Sequence, residues 1–241
     1  MTPWTGPAAA LADRVAAFVR DPATELFGDL ALAIHRWQVQ HDPVLASLVE
    51  GPVTTWHDIP CVPVGLFKDF PVGTVAPGDE AHAFMTSGTT GGGRGVHRLR
   101  STALYDMGSL AWARACLPGL PATCLGLLLD PAEHPESSLS HMVALFAAQP
   151  GGSARWFLDR ERLHARAFVD AVRTATGPVF VGATAFALAE LLEDHQAAPL
   201  PKGSVLMVTG GFKGREHRLD ATALYALAQG VLQPAHMATE Y

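Results

Sequence analysis

The chain has 241 residues, 49% of them hydrophobic and 17% charged, with a formal net charge of -6. That is ordinary globular composition. At this length a folded chain buries roughly 70–75% of its unfolded surface, so a full core is within reach. The acidic excess argues against a nucleic-acid binder, which carries a basic face.

Three cysteines, Cys61, Cys116 and Cys124, form no C-x-x-C pair and are an odd number for a disulfide scaffold. A reduced, cytoplasmic setting is expected. No basic region precedes the apolar run Pro7–Ala12, and Asp13 and Arg14 interrupt it, so no signal peptide is read. No run approaches 18 uncharged apolar residues, and no membrane span is expected.

Residues 8–20 and 23–40 read as amphipathic helices. In the second, Leu26, Leu30, Ile34 and Trp37 share one helical face. Between 51 and 80, Pro52, Pro60, Pro63, Pro71 and Pro77 break any long helix, so an extended, irregular passage is predicted. From residue 82 a rhythm sets in. His82–Ser87 reads as a strand entering a loop over Gly88–Gly95, followed by a helix over 101–116. Leu125–Asp130 reads as a buried strand, then a helix over 138–149 capped by Ser137 or Ser138. Ala154–Leu158 is a predicted strand, and 160–175 a helix entered through Asp159. Pro178–Gly182 and Ser204–Thr209 are further strands, with helices over 184–195 and 219–229, the last capped by Asp220 or its neighbour. Short apolar strands alternating with helices imply βαβ crossovers and an α/β fold. Apolar runs such as LGLLLD imply a mostly parallel sheet covered by helices on both faces. The organisation read from this is a helical and irregular segment over 1–80 packed on an α/β body over 81–241. Ligands in such sheets bind beyond the carboxyl ends of the strands. The two glycine-rich segments, 88–95 and 210–214, each follow a strand.

The densest chemical signal is Thr86-Ser87-Gly88-Thr89-Thr90-Gly91-Gly92-Gly93-Arg94-Gly95. Its five glycines free the backbone to turn successive N–H groups inward, and such a nest binds anions. Ser87, Thr89 and Thr90 add hydroxyls, and Arg94 a planar cation suited to phosphate. A plain surface loop is the competing reading. The preceding strand, the hydroxyls and the terminal cation weigh against it. Two other phosphate motifs fail. Gly88 and Gly93 have P-loop spacing, but Arg94 and Gly95 replace its lysine and hydroxyl. Gly91, Gly93 and Val96 do not complete G-x-G-x-x-G.

The same ten residues resemble the phosphate loop of the adenylate-forming superfamily, T-S-G-T-T-G-x-P-K-G, with Gly93 for the proline and Arg94 for the lysine. Within that superfamily the sequence resembles the acyl-protein synthetase family, which includes the fatty-acid-activating component of the bacterial bioluminescence reductase. The similar segments run in order from Ile59-Pro60 through Pro63-Val64 and Phe67-Lys68 to the loop. Glu136-Ser137-Ser138-Leu139-Ser140-His141-Met142, Val181-Gly182-Ala183-Thr184 and Leu200-Pro201-Lys202-Gly203-Ser204 follow. Thr209-Gly210-Gly211-Phe212-Lys213-Gly214-Arg215 and Glu240-Tyr241 come last.

The resemblance implies an adenylate-forming N-terminal-domain fold. It implies that a carboxylic acid, a long-chain or aryl acid, attacks the α-phosphate of ATP in the presence of Mg2+, and that a thiol then takes the acyl group from acyl-AMP. Thr86, Ser87, Gly88, Thr89, Thr90, Gly91 and Arg94 would hold phosphate. Gly210 and Gly211 would lie against adenine, with Arg215 closing the glycine turn and Tyr241 flanking the ring. Arg94 and His141 are the catalytic candidates. His141 reads equally as a plain helix-face histidine, and Lys68 and Lys213 more readily as solvated lysines. No metal-ligand spacing is present. An acyl reductase or an acyl carrier is the implied partner. The family's pattern continues past the position of Tyr241, so this chain alone is expected to adenylate weakly or not at all. Two alternatives stay open: a coenzyme A ligase of the phenylacetate type, and a non-catalytic nucleotide-binding fragment or scaffold.

Overall fold

A computed structural model describes residues 4–86, 93–160, 162–194, 197–210 and 220–239. The chain divides into two compact units, Met1–Ala111 and Trp112–Tyr241.

The first unit opens with helices α1 (Gly6–Arg20), α2 (Phe27–His41) and α3 (Pro43–Ser47). Phe27 stands 6.3 Å from Phe18 and edge-on to Trp56 at 5.3 Å, which binds α1 and α2 to the turn at Trp56–Asp58. That turn is held by Asp58, whose carboxyl accepts from the backbone and hydroxyls of Thr54 and Thr55. These donors, the backbone N–H of Thr55 first, lower its pKa to about 2.

Asp42 is the central tie of this unit. It is only 1% exposed. Oδ1 accepts from the N–H groups of Val44 and Leu45 at 2.8 and 3.2 Å, capping α3. Oδ2 accepts from the Gly73 N–H at 2.6 Å, which anchors the proline-rich passage between the buried Val72 and Val75. That passage also contains a short helix, α4 (Leu66–Asp69), in a stretch predicted to be irregular. Prolines forbid a long helix there but leave room for one turn. Strand β1 (His82–Met85) then pairs antiparallel with β2 (Val96–Leu99), a strand the sequence did not announce because its pattern, VHRL, is half polar.

Helix α5 (Ala103–Cys116) leads into the second unit. There β3 (Thr123–Leu129), β4 (Ser153–Leu158), β5 (Val179–Thr184), β6 (Val205–Thr209) and β7 (His236–Thr239) form a five-stranded parallel sheet in the order β4-β3-β5-β6-β7. The α/β reading holds, with a mostly parallel sheet flanked by helices. Helix α6 (Ser138–Ala147) covers one face, with Phe146 edge-on to Phe180 at 5.4 Å. On that face a Cβ at Gly126 would lie 2.4 Å from the ring of its register partner Trp156, so only glycine fits. Helices α7 (Ala165–Thr174), α8 (Ala185–Asp194) and α9 (Ala221–Leu232) cover the other face. Phe168, Leu188, Leu191, Leu224 and Leu232 pack there on Leu125, Leu127, Val179, Val181, Leu206 and Val208. Burial of both faces is what the uninterrupted apolar strands require. Phe180 and Met207 are core residues.

Ser137 and Asp220 cap α6 and α9 through Ser140 N–H and Ala223 N–H. The helix expected over 160–175 starts later, at Ala165. Asp159 caps a turn instead, its Oδ1 accepting from Arg162 N–H at 2.8 Å, and Leu158 bridges to Leu163. Strand β7 was also not anticipated. Among the described residues no helix is long and apolar enough to cross a membrane.

Two outcomes are expected. Asp42→Ala removes the acceptor of three part-buried N–H groups and should cost about 2–4 kcal/mol in urea denaturation, with Asp42→Asn intermediate. Cys124 is fully buried in β3, and burial pushes its thiol from 9.0 up to about 12, whereas Cys61 and Cys116 are exposed. A thiol reagent should label two cysteines of the native protein and the third only on unfolding. Because the folded pKa is the higher one, Cys124 contributes stability that is present below pH 9.0 and falls away toward pH 12; equal labelling of all three native thiols would contradict this.

Candidate functional site

In the first unit, Thr86 and Arg94 come together at the base of the β1–β2 hairpin. Thr86 N–H donates to the Gly95 carbonyl at 2.9 Å, and Gly95 N–H donates to Thr86 Oγ1 at 2.9 Å. Arg94 Nε donates to the Thr86 carbonyl at 2.8 Å. The Arg94 side chain therefore folds back across the hairpin base, which fixes the direction of its guanidinium fork. Thr86 Oγ1, while accepting from Gly95, still carries its own hydrogen as a donor.

Helix α4 buttresses the base. A Cβ at Gly95 would approach Phe67 Cβ and Thr86 Oγ1 at 3.3 Å, so the packing is close on both sides. Phe67 also packs on His97, with ring centroids 4.3 Å apart and the planes tilted by 35°. Burial holds the His97 imidazole below its ordinary pKa, so it is neutral at pH 7 and adds no charge to that of Arg94. Lower on the hairpin, Arg98 Nε lies 4.0 Å from Glu80. The N–H groups of Glu80 and Gly78, with Arg98 adding to them, hold the Glu80 carboxyl below its ordinary range. Sequence reading singled out Phe67-Lys68 but did not foresee that Phe67 supports Gly95.

In the second unit, the strand order creates a topological switch point. β3 leads through α6 to β4 on one side, while β5 leads through α8 to β6 on the other, on opposite faces of the sheet. Crevices at such points, beyond the carboxyl ends of the strands, are where open α/β sheets bind ligands. The loop after β3 and the first turn of α6 carry Glu136, Ser137 and His141. Ser137 Oγ accepts from Ser140 N–H and donates to Ser140 Oγ at 2.9 Å, and His141 N–H donates to the Ser137 carbonyl. Thr184 ends β5 and caps α8, its Oγ1 accepting from Ala187 N–H. Its register partner Thr209 ends β6. The Thr209 hydroxyl is buried and has no hydrogen-bond partner among the described residues. A buried polar atom in that condition marks a place for a further polar group. Gly210 follows at φ +76°, a backbone angle that favours glycine.

Of the predicted site residues, the first unit thus joins Thr86 and Arg94, and the second carries His141 and Gly210. Ser87, Gly88, Thr89, Thr90, Gly91, Gly211, Arg215 and Tyr241 lie outside the described residues, as does Lys213. Among the described residues no three His, Cys, Asp or Glu side chains converge to hold a metal ion, so no residue is assigned to Mg2+. No model of a known protein family matches the chain, and no curated protein matches it.

Thr86→Val removes the acceptor of the Gly95 amide. A net hydrogen bond of about 1 kcal/mol corresponds to roughly fivefold faster exchange of that amide by NMR, with Thr86→Ser unchanged. Equal exchange in the valine variant would contradict the closed base.

Proposed function

We propose that the chain binds ATP through the segment between Thr86 and Gly95 and belongs to an enzyme that activates a carboxylic acid as acyl-AMP. The observation that carries this reading is the closed hairpin base. Because Thr86 and Gly95 are bonded in both directions, the glycine- and hydroxyl-rich stretch between them begins and ends at a fixed place. Anchored ends reduce the entropy lost when a loop closes on a ligand. Main-chain N–H groups, threonine hydroxyls and the Arg94 fork are the donors that phosphate oxygens require.

In the proposed reaction a carboxylate oxygen attacks the α-phosphorus, and pyrophosphate leaves with the bonding electrons. The protein's share is to position the two anions and neutralise their charge. Mg2+ would accompany the triphosphate, since this ion is commonly held by substrate phosphates and water. His141, in the first turn of α6, is the proposed contact to the acid. An acyl carrier or an acyl reductase is the proposed recipient of the product.

A second reading, nucleotide binding without acid activation, is favoured by one observation. Arg94 stands where the resembling family has lysine, and it uses its Nε on the Thr86 carbonyl, a structural task.

Calorimetry with ATP and Mg2+ tests the binding step. Heat of binding is expected, and Thr89→Ala or Arg94→Ala should weaken it by roughly tenfold or more, the loss expected for a charge-assisted hydrogen bond. Mass detection of acyl-AMP from a panel of fatty and aryl acids separates the two readings. Heat with no acyl-AMP from any acid selects the second. No heat, or unchanged affinity in both variants, contradicts both.

A further inference from the structure

Helix α4 brings a lysine to the exit limb of the glycine-rich stretch. Leu66 N–H donates to the Pro63 carbonyl at 3.0 Å, Lys68 N–H to the Gly65 carbonyl at 3.0 Å, and Phe70 N–H to the Leu66 carbonyl at 2.8 Å, so the turn is closed at both ends. Phe67 fixes it against the hairpin by packing on Gly95 and His97. Lys68, the next residue, lies beside Gly93. A Cβ built on that glycine would stand 3.7 Å from the Lys68 carbonyl oxygen. Two consecutive residues of α4 thus meet Gly93 and Gly95, and Arg94 lies between those glycines. Lys68 and Arg94 are far apart in sequence, and the fold makes their backbones neighbours.

The two cations differ in what they are free to do. Arg94 commits its Nε to the Thr86 carbonyl, which holds its fork at the hairpin base. Lys68 is exposed, and its ammonium has no hydrogen bond or ion pair among the described residues. Asp69, next to it and also exposed, forms no ion pair with it. An ammonium on a flexible four-carbon stem can turn to meet an anion from several directions. A guanidinium held at Nε offers its remaining N–H groups in one plane. Two positive groups on one limb repel each other until an anion lies between them, and a polyphosphate carries the charge to satisfy both.

We propose that Lys68 is a phosphate-binding residue of the site between Thr86 and Gly95, the movable cation for the outer phosphates of a triphosphate, with Arg94 as the fixed one. This rests on the nucleotide reading of that site. The resembling motif has lysine where this chain has Arg94. Here its charge is kept by Arg94 and its freedom of movement by Lys68, from a separate segment of the chain. The ligand class is therefore a nucleoside triphosphate or pyrophosphate, in preference to a monophosphate.

Calorimetry with ATP, pyrophosphate and AMP, each with Mg2+, tests the assignment. Lys68→Ala should weaken ATP and pyrophosphate by roughly tenfold, the loss of one charge-assisted contact, and should leave AMP unchanged. Lys68→Arg, which keeps the charge, should bind ATP within about threefold of the wild type. The difference between wild type and Lys68→Ala should shrink in added salt, because the contact is exposed. Lys202→Ala, which removes an exposed lysine of the second unit, should bind ATP as the wild type does. The urea midpoint of Lys68→Ala should match the wild type, since its ammonium bonds to nothing in the described protein. Wild-type ATP affinity in Lys68→Ala, or an equal loss for ATP and AMP, would overturn the role of Lys68 and leave the nucleotide reading standing. A loss accompanied by a lower urea midpoint would mark a structural role and overturn it too. No binding of ATP by the wild type would overturn both.

Discussion

The double burial of the parallel sheet is the constraint from which the second unit follows. Strands as apolar as Thr123–Leu129 cannot leave either face in water, so helices must lie on both. Crossovers between parallel strands keep one hand. A chain that reverses its direction of travel across the sheet must therefore change face. This chain reverses at β4, which sends α6 to one face and α7, α8 and α9 to the other. The switch point beside β3 and β5 is thus a consequence of burying the sheet, and the polar residues gathered at its carboxyl edge are where a ligand-binding chemistry can be built. The glycine at 126 belongs to the same solution, since Trp156 lies over it to seal the α6 face at the edge strand.

The first unit solves a different problem, the ordering of a passage too rich in proline for a long helix. It does so with anchored points. Asp42 reaches 31 residues along the chain to Gly73, and Phe67 of a single-turn helix packs on Gly95 and His97. The hairpin base is closed by Thr86 N–H donating to the Gly95 carbonyl, by Gly95 N–H donating to Thr86 Oγ1 and by Arg94 folding back on Thr86. In this arrangement Arg94 has a structural bond as well as a charge, which makes it more than the lysine substitute suggested by its place in the motif.

Much of the fold was legible because its signals are local. The apolar runs at Leu125–Asp130, Pro178–Gly182 and Ser204–Thr209 announced the central strands, and Ser137 and Asp220 announced two helix starts. What was missed depends on long-range pairing. Val96–Leu99 carries His97 and Arg98 in a four-residue strand, and only its partner β1 makes it one. His236–Thr239 is a short, half-exposed edge strand whose identity comes from β6. Asp159 looked like a helix cap, and it does cap, but it closes a turn. For the candidate site, the sequence named Thr86, Arg94, His141 and Gly210 as residue types in a motif. It could not show that Arg94 bonds Thr86, that the Thr209 hydroxyl beside Gly210 has no hydrogen-bond partner among the described residues, or that β3 and β5 flank a switch point. Those facts depend on strand order and side-chain direction, which no single segment carries.

The central claim is that anionic oxygen atoms of a nucleotide are held by the chain between Thr86 and Gly95. Crystals of the protein grown with a non-hydrolysable ATP analogue test it most directly. The account expects the β- and γ-phosphate oxygens within hydrogen-bond distance of main-chain N–H groups and hydroxyls of those ten residues. An analogue bound with its phosphates elsewhere on the molecule would contradict it.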